Sequence, residues 1–378
     1  LAPYRDWLHF HWASGCLKQI DPRSIAIENR VLARYSILQS PQWARLMERL
    51  GISSWRGFEL HPATAHRLAA QFSQQVSSIY LSPLSEGDAR RCLTLANLIG
   101  APFVLHLWDV LEGDLTRGAL RELIDRAESV FCVSEPMQRD IAAFRADTAL
   151  LLFSRDPSPC QASPRQHGPL KVVVHGNISS YADGLDVLDE AIALVERQGL
   201  PVKVYFPGSP KILRLSKTTI KPRVKVRGFF ATQDDLDREL SHAHVAFLPG
   251  PRQPPQSDLR SRYSIPSRTQ DYLAVGIPIV GTVHQASATG SFLRSLGLEG
   301  TTTCSSAGEV ARYLIQLATP DNWATESARS RAAFALLQSQ EAPAVTLQRA
   351  MARIGSSSPL LNQPSLAQFR PLAVQKIG

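Results

Sequence analysis

The stretch YSIPSRTQDYLAVGIPIVG, residues 263–281, joins a short helical pattern to an apolar strand. Ser267 and Gln270 stand three apart, the spacing of a capping box at a helix start. Gly276 and Pro278 are ordinary helix-stop residues, and 277–281 reads as the strand that follows. The helix opens on Pro-Ser-Arg and carries one carboxylate, Asp271, in its second turn. Propensity accounts for the helix. The chemistry placed around it needs a separate reason.

Outward from this stretch, the second half alternates strand-like runs at 170–175, 202–206, 224–227, 244–248 and 277–281 with helical periods. Leu185, Leu188, Ala191, Ile192 and Val195 fall on one side of such a helix. The first half shows the same alternation, with runs at 7–12, 79–84, 102–107 and 129–133 and a helical pattern over 88–99. Strands separated by helices imply parallel sheets, here twice. The break falls at SRDPSPCQASPRQHGP, 154–169, which has no period and reads as a linker. The expected organisation is a Rossmann-like domain over 1–153, a linker, a second Rossmann-like domain over 170–355, and a poorly ordered tail over 356–378. The Pro-rich segment 249–262 is long for a simple connection and reads as a working loop.

Bulk composition limits the class. The 378 residues suit two domains, and 44% hydrophobic with 20% charged residues is a soluble globular balance. No apolar run approaches the ~20 residues that cross a bilayer. Leu1 at the start suits either a fragment or an alternative start codon. Five scattered cysteines with no CxxC fit packed thiols in a reducing, cytoplasmic compartment. Residues 1–150 hold 16 basic and 16 acidic groups, so the net charge of +8 lies in the second half. The densest part, Lys203 to Arg227, contains no acid. It reads either as a solvated face or as a contact for an anionic ligand, an inner membrane surface or nucleic acid. Nucleic acid is not expected, because aromatics are not interleaved. No G-x-S-x-G, P-loop or G-x-G-x-x-G is present, which disfavours hydrolase, NTPase and dinucleotide readings.

The ordered segments KVVVHGNISSYADGLDVLDEAI, VKVRGFF, AHVAFLPG and IPSRTQDYLAVGIPIVG resemble the C-terminal domain of GT-B glycosyltransferases, and glycosyltransferase family 4 in particular. GAPFVLHLWD and ESVFCVSEPMQRDI resemble strands of the first domain, so the likeness covers roughly 75–350. It implies two facing doubly wound domains with a nucleotide-diphosphate sugar held between them. It places donor contacts at Gly15, Gly176, Asn177, Lys211, Phe229, Tyr263, Pro266, Ser267, Arg268 and Asp271. Physics agrees with part of this. The helix start at Ser267 aims N–H groups and a positive dipole end at an anion, and Arg268 adds charge. Asp271, one turn on, can accept from both ribose hydroxyls. A capped surface helix with a solvated Asp is the alternative.

Departures from the family pattern are plain. Family 4 members usually carry two glutamates separated by seven residues, and here those positions are Tyr263 and Asp271. The Arg and Lys that the family uses to neutralise the leaving diphosphate correspond to Asn177 and Asp183. Lys211, Arg268 and Arg227 are the cations left to compensate. If 7–12 is the first strand, the loop at Gly15 faces the donor phosphates; otherwise 7–12 is a later strand. His106 and Asp109 are the acceptor-side candidates, either able to orient or deprotonate a hydroxyl, and His106 reads equally as a structural histidine. Trp108 offers a face for a sugar. The pairs His9/His11 and His242/His244 lack a third ligand at sensible spacing, so packing is favoured over metal binding.

The resemblance therefore implies transfer of a sugar to a glycan or lipid-linked hydroxyl, with retained stereochemistry and no metal or cofactor. A nucleotide-sugar epimerase and a non-catalytic GT-B homologue are the alternatives.

Overall fold

The computed structural model describes residues 79–356, apart from 84, 109–113, 153–154, 177, 179–180, 211–217, 231, 251–257 and 341–342. The expected strand 7–12, Gly15, Asp109, Asn177, Lys211 and the tail from 357 lie outside the described residues.

The first sheet orders β1 (Ile79–Leu81), β2 (Phe103–Leu107), β3 (Ser129–Cys132) and β4 (Thr148–Leu150) side by side, all parallel. Helices α1 (Glu86–Ile99), α2 (Gly118–Arg126) and α3 (Glu135–Ala142) make the crossovers. Ser85 caps α1 by accepting from the Asp88 N–H, and Gly100 ends it in the left-handed region at φ 71°. Every residue of β2 is buried, as a parallel strand covered on both faces requires.

The second sheet orders β7 (Val224–Gly228), β6 (Val202–Pro207), β5 (Leu170–Val173), β8 (Val245–Leu248) and β9 (Ile279–Gly281), again all parallel. Around it run α4 (Ala182–Arg197), α5 (Gln233–Ser241), α6 (Leu259–Tyr263), α7 (Arg268–Val275), α8 (Ala288–Ser295), α9 (Glu299–Thr302), α10 (Ala307–Gln316) and α11 (Pro320–Ser339). The apolar side of α4 is buried with Val172, Val204 and Val245 of the sheet and Leu314 of α10. Each such Leu or Ile contributes about 1.5–3 kcal/mol. Strand order reverses at β5, and such a switch point opens a ligand crevice beyond the carboxyl ends of the strands.

The last helix is α12 (Pro343–Ser356). Leu347, Ala350 and Ile354 pack on Val104 and Phe131 of the first sheet. The chain thus returns to its first half. Periodicity shows that a helix has an apolar face, and does not show which sheet that face meets.

Two buried histidines carry a stability consequence. His106 is 2% exposed, with Nδ1 2.7 Å from the Tyr80 hydroxyl. His244 is 8% exposed, and its Nδ1 accepts from the Lys171 N–H at 3.1 Å. Burial lowers both to about 4, with the charges of Lys171 and Arg165 adding to the effect on His244. A folded value below the unfolded ~6.5 means that stability is full above 6.5 and falls as pH drops toward 4. Unfolding in urea between pH 6.5 and 4.5 is therefore expected to take up about two protons from these groups, a loss of about 2 kcal/mol for each. Flat stability across that range would contradict the buried neutral rings.

Candidate functional site

The site forms where α7 meets the end of β5. The capping-box expectation is corrected there. Ser267 is already helical, with φ −56° and ψ −32°, and its hydroxyl caps nothing, because a capping side chain reaches back only from extended backbone. The chain enters through Pro266 instead, whose carbonyl accepts from the Thr269 N–H at 3.0 Å, and Gln270 N–H reaches Ser267 O at 3.0 Å. These tight i→i+3 bonds form the first turn, and Gly276 closes the helix at φ 71°.

Three side chains of α7 converge on His175, just after β5. Arg268 Nη1 donates to the His175 carbonyl at 3.0 Å. The Tyr272 hydroxyl accepts from the His175 N–H at 2.9 Å. Asp271 Oδ2 lies 3.3 Å from His175 Nε2. Positions i, i+3 and i+4 share one helix face, which explains why Arg268, Asp271 and Tyr272 act together. Tyr272 is fully buried, and burial pushes its phenol well up. Arg268 is only 4% exposed and lies over the Tyr181 ring at 5.0 Å. Its charge therefore backs the loop at Gly176. Gly176 has φ 85°, and a Cβ there would stand 3.2 Å from Arg268 Nη1, so both backbone and space call for glycine.

Asp271 belongs to a wider charged cluster. Arg155 Nη1 donates to Asp271 Oδ1 at 2.9 Å and to Asp237 Oδ1 at 3.0 Å, while Nη2 reaches Asp237 Oδ2 at 2.5 Å. Gln233 Nε2 donates to the same two oxygens at 3.0 and 3.2 Å. Burial alone would raise the Asp237 carboxyl, yet hydrogen bonds from Arg155, Ser158 and Gln233, with the Arg155 charge, hold it below the usual range. Burial likewise works against the Arg155 cation, and its two carboxylates outweigh that and push it up. His175, Arg155, Asp237 and Gln233 were not singled out in the sequence. His175 alone carried a signal, as the polar residue that ends the strand KVVVH.

The remaining candidates scatter. Pro266 and Ser267 sit at the head of α7, Ser267 exposed. Phe229, just past β7, is 74% exposed. Tyr263 stands where a donor-side glutamate was expected, but its hydroxyl donates to Asp140 Oδ2 at 2.6 Å, beside Arg262 Nη2 on the same oxygen at 2.6 Å. It thereby joins α6 to α3 of the first half. Arg227 is paired with Glu239 at 2.7 Å. The His106 ring, a candidate base in the sequence, is buried with Nδ1 2.7 Å from the Tyr80 hydroxyl, and burial lowers it to about 4, which fits the structural alternative.

An opening at the α7 head is lined by Tyr181, Pro249, Gly250, Ser261, Ser264 and Pro266, with about 20 Å³ of room. That admits one water. A larger cavity of about 240 Å³ lies elsewhere, among Leu150, Leu152, Phe292 and Leu337. Gly184 lets the backbone at Gly250 approach closely, since a Cβ there would come within 2.6 Å of the Gly250 carbonyl. Among the described residues, no group of three or more His, Cys, Asp or Glu is arranged to hold a metal. None of the described helices is long and apolar enough to cross a membrane.

No protein-family model matches the chain. It is 32% identical over 116 residues to the Ralstonia nicotianae UDP-N-acetylglucosamine–N-acetylmuramyl-(pentapeptide) pyrophosphoryl-undecaprenol N-acetylglucosamine transferase. That match spans 30% of either chain, well under half the relative's length. The structure is similar to Anabaena HepE, solved in complex with UDP-glucose, with a TM-score of 0.58 and 18% identity over 92% of this chain and 96% of that one. It is also similar to the α,α-trehalose 6-phosphate synthase of Burkholderia multivorans, with a TM-score of 0.56 and 10% identity over 89% and 84% of the two chains. Two parallel sheets, each wrapped by helices, are the GT-B fold.

Proposed function

We propose that the chain is a glycosyltransferase that moves a sugar from a UDP-sugar to a hydroxyl of a glycan or lipid-linked saccharide. The carrying observation is the convergence of Arg268, Asp271 and Tyr272 on His175 at the switch point of the second sheet. The N-terminal end of α7 supplies positive potential for the diphosphate, with the Arg268 cation beneath the Gly176 turn. Asp271 accepts from the ribose, and exposed Phe229 offers a face to the base. UDP as the nucleotide is supported by the HepE complex with UDP-glucose.

Closure of the two halves around the donor, to exclude water, is part of the proposal. Retention of configuration and metal-independent transfer are part of the proposal, and both rest on the likeness to family 4. In that chemistry the departing phosphate oxygen helps to take the acceptor proton, so diphosphate stabilisation by Arg268 and α7 carries more weight than a protein base. Contact with an anionic membrane has thinner support, since Arg223 and Arg227 of the basic segment are paired with Asp189, Glu196 and Glu239.

A second reading is favoured by one observation. Tyr263 replaces a carboxylate and is committed to Asp140, which fits a nucleotide-sugar-binding homologue without turnover. One experiment separates the two. UDP binding is measured by calorimetry, and UDP release from UDP-sugars is measured in parallel. Wild type is expected to bind and turn over, and Asp271→Ala to lower UDP affinity by about ten- to a hundredfold, the range of a charged hydrogen-bond acceptor. Binding without turnover favours the second reading. Unchanged binding in Asp271→Ala overturns the placement of the site.

A further inference from the structure

We propose that Arg155, in the segment that joins the two sheets, is a positioning residue that sets the Asp271 carboxylate to receive one hydroxyl of a ribose diol. This rests on the reading of α7 as a nucleotide grip. The geometry separates the two Asp271 oxygens. Oδ1 takes two donors, Arg155 Nη1 at 2.9 Å and Gln233 Nε2 at 3.2 Å. Among the described residues, Oδ2 meets His175 Nε2 alone, at 3.3 Å. A carboxylate oxygen has two lone-pair sites, so Oδ1 is filled and Oδ2 keeps one.

Arg155 is itself immobilised. Its side chain is 11% exposed, it forks onto Asp237, whose side chain is fully buried, and its carbonyl accepts from Gln338 Nε2 of α11 at 2.8 Å. A guanidinium held at three points fixes one rotamer of Asp271. An unsupported carboxylate, 16% exposed in the present arrangement, would sample several rotamers and lose the aim of Oδ2 at a ribose hydroxyl. The same contacts tie the connecting segment to the donor side, so a shift of that segment as the halves part would be felt at Asp271.

The test compares UDP with 2′,3′-dideoxy-UDP by calorimetry on the full chain. Removing Arg155 alone strands Asp237, so the informative variant is the paired Arg155→Met/Asp237→Asn, with Arg155→Lys beside it. Wild type is expected to prefer UDP by tenfold or more. The paired variant is expected to keep the dideoxy affinity while its preference shrinks to twofold or less. Arg155→Lys, which keeps charge but not the fork, is expected to fall between them. A folded paired variant with the full preference overturns the Arg155 assignment and leaves the nucleotide site standing. Wild type that binds the two alike overturns the diol contact, and wild type that binds neither overturns the nucleotide reading with it.

Discussion

Arg268→Ala is expected to lower kcat/KM for UDP-sugar turnover by about a hundred- to a thousandfold, the cost of removing one fixed donor aimed at developing charge. Two effects add at this residue. The guanidinium lies against Gly176 and holds the His175 carbonyl at 3.0 Å, so its loss frees the loop that follows β5. It also removes a cation that is 4% exposed, where a charge acts at low dielectric. Calorimetry with UDP and uridine separates these effects from general damage: UDP should weaken about tenfold or more, and uridine should not change. Arg268→Lys should recover little, because an ammonium cannot reproduce the planar contact with His175 and Tyr181. Equal loss for UDP and uridine would assign Arg268 to structure alone.

Most of the strand framework was legible in the sequence. Runs expected at 102–107, 170–175, 202–206, 224–227 and 244–248 correspond to β2, β5, β6, β7 and β8 within one or two residues. Buried parallel strands announce themselves as apolar runs between helical periods. Strand β4 left no such mark: it is three residues long, lies at the sheet edge and has no buried position. At the site, Arg268 and Asp271 of α7 were legible, whereas Tyr272, on the same face, was not singled out. Their target was not. Ser267 failed as a cap because Pro266 brought the chain in already helical, a difference of backbone angle that spacing does not record. Arg155 and Asp237 are 82 positions apart, and no local pattern pairs a linker arginine with one carboxylate among many. His106 was legible only as one of two alternatives, since sequence places it near a strand end without telling buried from open.

The largest stability effect is expected from Arg155→Met, and its pH dependence identifies the cause. Asp237 has a fully buried side chain, and removing its partner leaves a charge in a low dielectric, a loss of about 3–5 kcal/mol. Adding Asp237→Asn should recover most of that, because a buried pair removed together costs little. The two variants with wild type and Asp237→Asn form a double-mutant cycle. In wild type the Asp237 carboxyl lies below its ordinary value. Its contribution is thus complete above the unfolded ~3.9 and disappears as pH falls through the lower folded value. In Arg155→Met the sign reverses. Burial then dominates, the folded value rises above 3.9, and protonation relieves the stranded charge as pH falls. Urea unfolding at pH 7 and pH 4.5 should show the deficit of Arg155→Met against wild type shrinking at the lower pH, while the paired variant shows no such recovery. A deficit constant across that interval would mean that lost packing of the Arg155 stem, and not its charge, accounts for the instability.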